Sequence, residues 1–174
     1  IMSLDTAEFD RLALSDKTLG NGTVLVPYLD GERTPNLPFA TGHLNGLRTS
    51  TTRANIASAV ISGVICGLLA GRNVLTGMGL DLSGRFILTG GGSQSAAYRQ
   101  ILADLSGEDI YICTFHETAA SGAALYAAAS YKGLDVTRLS DEWAHQVEKV
   151  ATPRGIKTDT VKELYKKAAL KAAE

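Results

Sequence analysis

The sequence has little cysteine, little proline and almost no net charge, and each scarcity excludes a class of protein. Its two cysteines, Cys66 and Cys113, lie far apart with no CxxC spacing, which excludes a disulfide framework and a zinc ribbon. We expect two free thiols in a reducing cytoplasm. With only four prolines and 45% hydrophobic residues, the composition is that of a globular chain and excludes a collagen or a disordered polymer.

The charged side chains nearly cancel, because 17 basic residues face 18 acidic ones for a net charge of −1. A near-neutral domain has no electrostatic footprint for duplex nucleic acid or for an acidic lipid surface. We therefore expect neither nucleic acid nor a membrane among its partners. Four lysines near the C-terminus have the spacing of a solvated helix face: Lys162, Lys166, Lys167 and Lys171.

Neither a signal peptide nor a membrane span is predicted. Residues 1–5 lack a basic segment and an apolar run, and an Ile before the first Met indicates numbering that starts inside a longer protein. The uncharged run 54–71 carries Gly63, Gly67 and Gly71 at four-residue spacing. A span needs about 20 strongly apolar residues, whereas this run contains serines and several alanines. We interpret it as a buried helix whose glycines allow a strand or helix to approach closely.

Hydrophobic periodicity predicts helices that alternate with short strands. The predicted helices cover residues 5–14, about 52–78, 94–106 and 117–132, and the predicted strands 23–26, 43–47, 85–89 and 110–113. This alternation is typical of an α/β domain with a partly parallel sheet. We treat residues 1–174 as one domain with a lead-in helix (1–22), an α/β core (23–133) and C-terminal helices (134–174).

The most informative segment is the junction where the strand at 85–89 meets three consecutive glycines and then a helix. Three glycines cost backbone entropy, but they are useful where a ligand lies against bare main chain. The helix start offers unpaired N–H groups, and Ser93 and Ser95 add hydroxyls. Such a junction can hold the base and ribose of a nucleotide, or a phosphate. It is neither a GxGxxG nor a Walker A motif, so a plain strand–helix turn stays open as the alternative.

Four motifs in order resemble the C-terminal domain of the FGGY carbohydrate kinases, and most closely their xylulose-kinase branch. The motifs are Pro27-Tyr28-Leu29 with Gly31-Glu32-Arg33-Thr34-Pro35, then Gly42-His43-Leu44-Asn45-Gly46-Leu47 with Asn55-Ile56 and Ala59-Val60-Ile61, then Thr89-Gly90-Gly91-Gly92-Ser93 with Gln100 and Ala103-Asp104, and finally Glu117 with Gly122-Ala123-Ala124. The resemblance extends over about residues 24–131. The sequence departs from the second motif at Ser58 and Ser62, where the family carries an Arg and an acidic or amide residue, and this bears on sugar specificity.

The resemblance implies an actin-like, ribonuclease-H-like α/β fold that forms the C-terminal half of a two-domain sugar kinase. ATP would lie in the cleft between the halves, with its adenine and ribose held by Gly91, Gly92 and Ser95 and by the neighbouring Gln94. The whole cytoplasmic enzyme would transfer the γ-phosphate of ATP to the C5 hydroxyl of a ketopentose, converting D-xylulose to D-xylulose 5-phosphate. ATP and Mg²⁺ are the implied cofactors.

The resemblance also implies what this chain lacks. In the family, the phosphate loops, the catalytic Asp and the Mg²⁺ ligands lie outside the matched region, and the pentulose sits mostly on the N-terminal domain. We therefore assign no catalytic residue and no metal ligand here, and we expect the chain alone to be inactive. Other polar candidates are interpreted as structural: Asp30, Glu32, His43, Asp104, His116-Glu117 and His145.

Two questions stay open at this stage. One alternative is a non-catalytic actin-like module that binds a nucleotide or a partner protein. A phosphate loop and a catalytic Asp upstream would favour the kinase over that module. The sequence also leaves open which sugar is phosphorylated and which oligomeric state the protein adopts. A homodimer is one of the open alternatives.

Overall fold

The computed structural model describes residues 4–114, 117–143 and 146–172. Helices and short strands alternate along the chain, as the hydrophobic pattern predicts. Their bounds are α1 Thr6–Ser15, β1 Val24–Val26, β2 His43–Asn45, α2 Arg53–Gly77, β3 Phe86–Leu88, α3 Ala96–Ser106, β4 Ile110–Cys113, α4 Thr118–Lys132, α5 Val136–Glu142, β5 Val147–Ala151 and α6 Asp159–Lys171.

The strands form two small sheets. Strands β3 and β4 are parallel, with Phe86 opposite Ile110, and β5 pairs antiparallel with the other edge of β4. Strands β1 and β2 form a separate antiparallel pair, with Val24 opposite Asn45. The predicted partly parallel sheet is therefore confirmed.

One predicted segment differs from the structure. The region 134–174 is predicted to contain C-terminal helices and no strand, but Val147–Ala151 is a strand between α5 and α6. Residues 147–151 read Val-Glu-Lys-Val-Ala, which lacks the strict alternation of apolar and polar residues that predicts a strand. The strand exists because β4 offers a free edge, and Cys113 pairs with Val147 there.

The first half of α2 is the centre of the core. Ala57, Ile61 and Ile65 are buried among the cluster that includes Ile101 and Leu105 of α3. The helix begins with a reciprocal capping box, in which Thr52 accepts from the Asn55 N–H and Asn55 accepts from the Thr52 N–H. This cap satisfies two donors that a helix start would otherwise leave unpaired.

Gly63 explains why α2 can lie directly on β1. A Cβ built at Gly63 would be 2.1 Å from the carbonyl oxygen of Leu25, so only glycine fits. Gly67 faces the hydroxyl of Tyr165 in α6, at 3.0 Å from the position of a Cβ, whereas a Cβ at Gly71 would meet nothing within 4 Å. The predicted close approach is confirmed for the first two glycines of the run. By length and composition α2 could cross a membrane, but half of its most apolar window is buried, as in a core helix.

Both cysteines are free thiols. Cys66 is buried in the core, and this burial raises the pKa of its thiol to about 11. It is therefore an inert core side chain at neutral pH.

Candidate functional site

The glycine junction forms a tight turn between β3 and α3. Gly90 has φ 80°, a left-handed conformation that glycine adopts without strain. It opens a 3₁₀ turn over Gly91–Gln94, and α3 follows at Ala96. The buried Ser93 closes the turn, because its backbone N–H and its hydroxyl both donate to the Gly90 carbonyl, at 3.0 and 2.7 Å.

The outer side of this turn is bare backbone. A Cβ built at Gly90 or at Gly91 would meet no atom within 4 Å, and both residues are exposed. Gly92 is half-buried, and a Cβ there would touch the ring of Tyr98 at 3.3 Å. The turn therefore presents an open backbone surface at Gly90 and Gly91 and is bounded at Gly92 by an aromatic ring.

The structure gives Ser95 an internal role that the sequence pattern did not indicate. Its hydroxyl caps α3 by accepting from the Tyr98 N–H at 3.0 Å, and it donates to Oδ1 of Asp10 at 2.6 Å. The second oxygen of Asp10 accepts from the Ala97 N–H at 3.4 Å. Asp10 belongs to α1, 85 residues away in sequence, and no motif singled it out.

These contacts bear on which part of a nucleotide the junction can hold. A helix N-terminus attracts phosphate through unpaired N–H groups and its dipole. Here Ser95 and Asp10 already satisfy donors at that end, and the Asp10 carboxylate places a negative charge beside it. The exposed Gln94 adds a polar side chain at the rim. The geometry favours a flat, uncharged group such as a base with its ribose over a phosphate.

Asp104 is structural, as predicted. Its side chain has no solvent exposure, and it pairs with the guanidinium of Arg154 through two nitrogens at 2.6 and 2.9 Å. It also accepts from the Arg154 N–H at 2.8 Å and from Gln100 at 3.3 Å, while Gln100 donates to the Thr152 carbonyl at 2.9 Å. The α3 residues of the third motif therefore hold the segment that follows β5.

Those of the remaining polar candidates that the structure describes do not come together in one cluster. Glu32 accepts from the N–H groups of Arg33 and Thr34 in its own turn, and Asp30 and His43 are exposed. His116 and His145 lie outside the described residues. Within residues 4–114, 117–143 and 146–172, no group of three or more His, Cys, Asp or Glu side chains is placed to hold a metal ion.

The two departures from the second motif are buried in α2. Ser58 and Ser62 are 0% and 1% exposed, and neither hydroxyl has a hydrogen-bond partner among the described residues. A charged pair at these positions would have to be desolvated at a cost of several kcal/mol per ion. Ser58 and Ser62 are small side chains that the core side of α2 accommodates without that cost.

An open groove of about 600 Å³ lies elsewhere, between the second half of α2 and β3. Arg72 pairs with Glu108 in this groove and lies 5.0 Å from the ring centroid of Phe86. The glycine turn does not contribute to its lining. Because Arg72 and Glu108 already form an ion pair with each other, their charges are less available to a charged ligand in this groove.

Comparisons with known proteins agree with the motifs. The model of the FGGY family of carbohydrate kinases, C-terminal domain, matches residues 4–131. The xylulose kinase of Streptomyces rubiginosus is 38% identical over 124 residues, which cover 71% of this chain and 26% of that protein. The xylulose kinase of Streptomyces coelicolor is 37% identical over the same shares of the two chains.

A solved structure extends the likeness to the fold. The xylulose kinase from Bifidobacterium adolescentis superposes with a TM-score of 0.76 and 34% identity, over 95% of this chain and 32% of that one. The likeness confirms the predicted actin-like, ribonuclease-H-like α/β fold. The chain spans about a quarter of the length of the curated relatives it matches.

Proposed function

The chain belongs to the FGGY family of carbohydrate kinases, as a C-terminal domain, and from this we propose that it forms the nucleotide-binding side of a kinase that phosphorylates D-xylulose. The xylulose kinases among its relatives support this substrate. The product would be D-xylulose 5-phosphate, formed in the cytoplasm.

The open glycine turn is the observation that carries the nucleotide part of the proposal. A purine can lie flat against backbone that no side chain covers, and the Cβ positions of Gly90 and Gly91 face empty space. In the proposed complex, Gly91 and Gly92 contact the base and ribose, and Gln94 adds a polar contact from the rim. Ser95 borders the same surface, and its hydroxyl keeps one lone pair for a ribose hydroxyl.

The proposed reaction is an in-line phosphoryl transfer. The C5 hydroxyl of the sugar attacks the γ-phosphorus of ATP, its proton passes to a carboxylate, and ADP leaves. When bound, Mg²⁺ offsets the charge on the phosphates. Following the family resemblance, we place the Mg²⁺ ligands and the catalytic carboxylate outside this chain. The chain's own contribution is to bind and orient the nucleoside.

Titration of the ¹⁵N-labelled 174-residue chain with ADP tests the proposal by NMR. We expect weak binding, because half of the cleft is missing, with shifts concentrated at the amides of Gly91, Gly92 and Ser95. Shifts concentrated instead at the groove around Arg72 would contradict the site. D-xylulose phosphorylation should be absent, and robust turnover by this chain would refute the assignment as half of an enzyme.

Gly91→Val gives a sharper test of the same surface. The side chain enters open space and φ is not in the left-handed region, so we expect the variant to fold and to obstruct the purine. ADP affinity should fall by about tenfold or more, which corresponds to about 1.4 kcal/mol. Gly71→Val is the matched control, because it adds the same side chain at another open position. Equal ADP binding by the Gly91→Val variant and wild type would exclude the turn as the nucleoside site.

A further inference from the structure

Asp10 links the lead-in helix to Ser95, at the end of the glycine turn, and to Ala97 in the first turn of α3. Its Oδ1 accepts from the Ser95 hydroxyl at 2.6 Å and its Oδ2 accepts from the Ala97 N–H at 3.4 Å. The carboxylate is half-buried. A bond between an ionised carboxylate and a hydroxyl is short and strong compared with one between neutral groups.

The contact fixes the orientation of the Ser95 side chain. Because that hydroxyl donates to Asp10, one of its lone pairs accepts from the Tyr98 N–H, at 3.0 Å. The Ser95 N–H in turn donates to the Gly92 carbonyl at 3.2 Å, and the Tyr98 ring covers the inner side of Gly92. The Asp10 carboxylate therefore holds Ser95, at the end of the glycine turn, in one position relative to the start of α3.

We propose that Asp10 is a positioning residue for nucleoside binding, which it serves by pre-ordering the turn through Ser95. The proposal rests on the proposed function, since it takes the turn to be the nucleoside site. Bare glycine backbone is conformationally free, and a turn that must be ordered on binding loses affinity. Asp10 removes part of that loss before the ligand arrives. It makes no contact with substrate in this proposal and acts only through the residue it holds.

The test is a double-mutant cycle of Asp10→Ala and Ser95→Ala in the 174-residue chain, with ADP affinity measured by NMR titration. We expect each single variant to bind ADP about threefold to tenfold more weakly. The double variant should bind no more weakly than the weaker single variant, because both changes remove the same link. Ser95→Thr, which keeps the hydroxyl, should recover affinity relative to Ser95→Ala.

Glu8→Gln is the matched control, since Glu8 is an exposed carboxylate on the same helix and should leave ADP affinity unchanged. If Asp10→Ala fails to fold, Asp10→Asn carries the test. The Asn amide keeps an oxygen acceptor for Ser95 but can place an NH₂ group opposite the Ala97 N–H. We therefore expect a loss of ADP affinity that is smaller than the loss predicted for Asp10→Ala.

The outcomes separate the two proposals. If ADP leaves the turn unperturbed in the wild-type chain, the proposed function fails, and the positioning role fails with it. If ADP binds the turn in wild type and equally well in the folded Asp10 variants, only the positioning role is overturned. Additive losses in the cycle would also overturn it, because Asp10 would then act independently of Ser95.

Discussion

The Asp104–Arg154 pair allows a quantitative test of how the C-terminal segment is attached. Asp104 lies in α3 with no solvent exposure, whereas the Arg154 side chain is 27% exposed. The two guanidinium bonds and the bond from the Arg154 N–H join α3 to the segment after β5. Removal of either partner should therefore lower the free energy of unfolding, but not by the same amount.

The difference in exposure sets the order of the two effects. Arg154→Ala removes both guanidinium bonds and leaves the buried carboxylate with no opposite charge and only the N–H of residue 154 and Gln100 as donors, which costs about 3–5 kcal/mol. Asp104→Ala leaves a guanidinium that can still reach solvent, so we expect a smaller loss of roughly 2–3 kcal/mol. In a chain of this size each kcal/mol lowers Tm by about 2–4 °C.

Urea unfolding monitored by circular dichroism measures these losses. Asp109→Ala is the control, because it removes a comparable ion pair to Lys149 in which the side chains are 36% and 50% exposed, and we expect little change in stability. If Asp104→Ala is no more destabilising than Asp109→Ala, the argument from burial is refuted. If Arg154→Ala costs less than Asp104→Ala, the assigned order is wrong.

Three further predictions concern the core and its caps. Gly63→Ala should lower the free energy of unfolding by about 1–3 kcal/mol in a urea titration, since its Cβ would lie 2.1 Å from the Leu25 carbonyl; wild-type stability would contradict the close approach. Ser62→Ala removes a buried hydroxyl that has no partner among the described residues, so thermal unfolding should show stability unchanged or higher by up to about 1 kcal/mol. Burial raises the pKa of Asp16, but hydrogen bonds from Thr18 and other neighbours outweigh it and hold the pKa below its usual 3.8. This stabilisation is present above about pH 4 and is lost as the pH falls through the folded-state pKa. The difference in free energy of unfolding between wild type and Asp16→Asn should therefore become smaller from pH 7 to strongly acidic solution. A difference that stays constant with pH would refute this role of Asp16.

Local signals in the sequence were sufficient to place most helices and strands. The apolar spacing of α2, the glycine after α3 and the short β-branched strands each depend on neighbours within a few residues. The strand β5 was missed because its formation depends on β4, whose Cys113 pairs with Val147 only after the chain has folded.

The candidate site also has one part that local sequence patterns predict and another that depends on the folded chain. The glycine turn could be identified from the sequence, because consecutive glycines between a strand and a helix are a local pattern and the surrounding motifs resemble a known family. The internal role of Ser95 could not be, since its hydroxyl is oriented by Asp10, 85 residues earlier.

By itself, the sequence determined the order of the elements, the family and the position of the flexible backbone that a ligand could approach, because these follow from residue type and short-range spacing. Only the tertiary structure decided which polar groups at that backbone are already paired. Hydrogen bonds such as Ser95–Asp10 and Asp104–Arg154 join residues that are distant in sequence, and no local pattern records which of them the packing of helices will bring together.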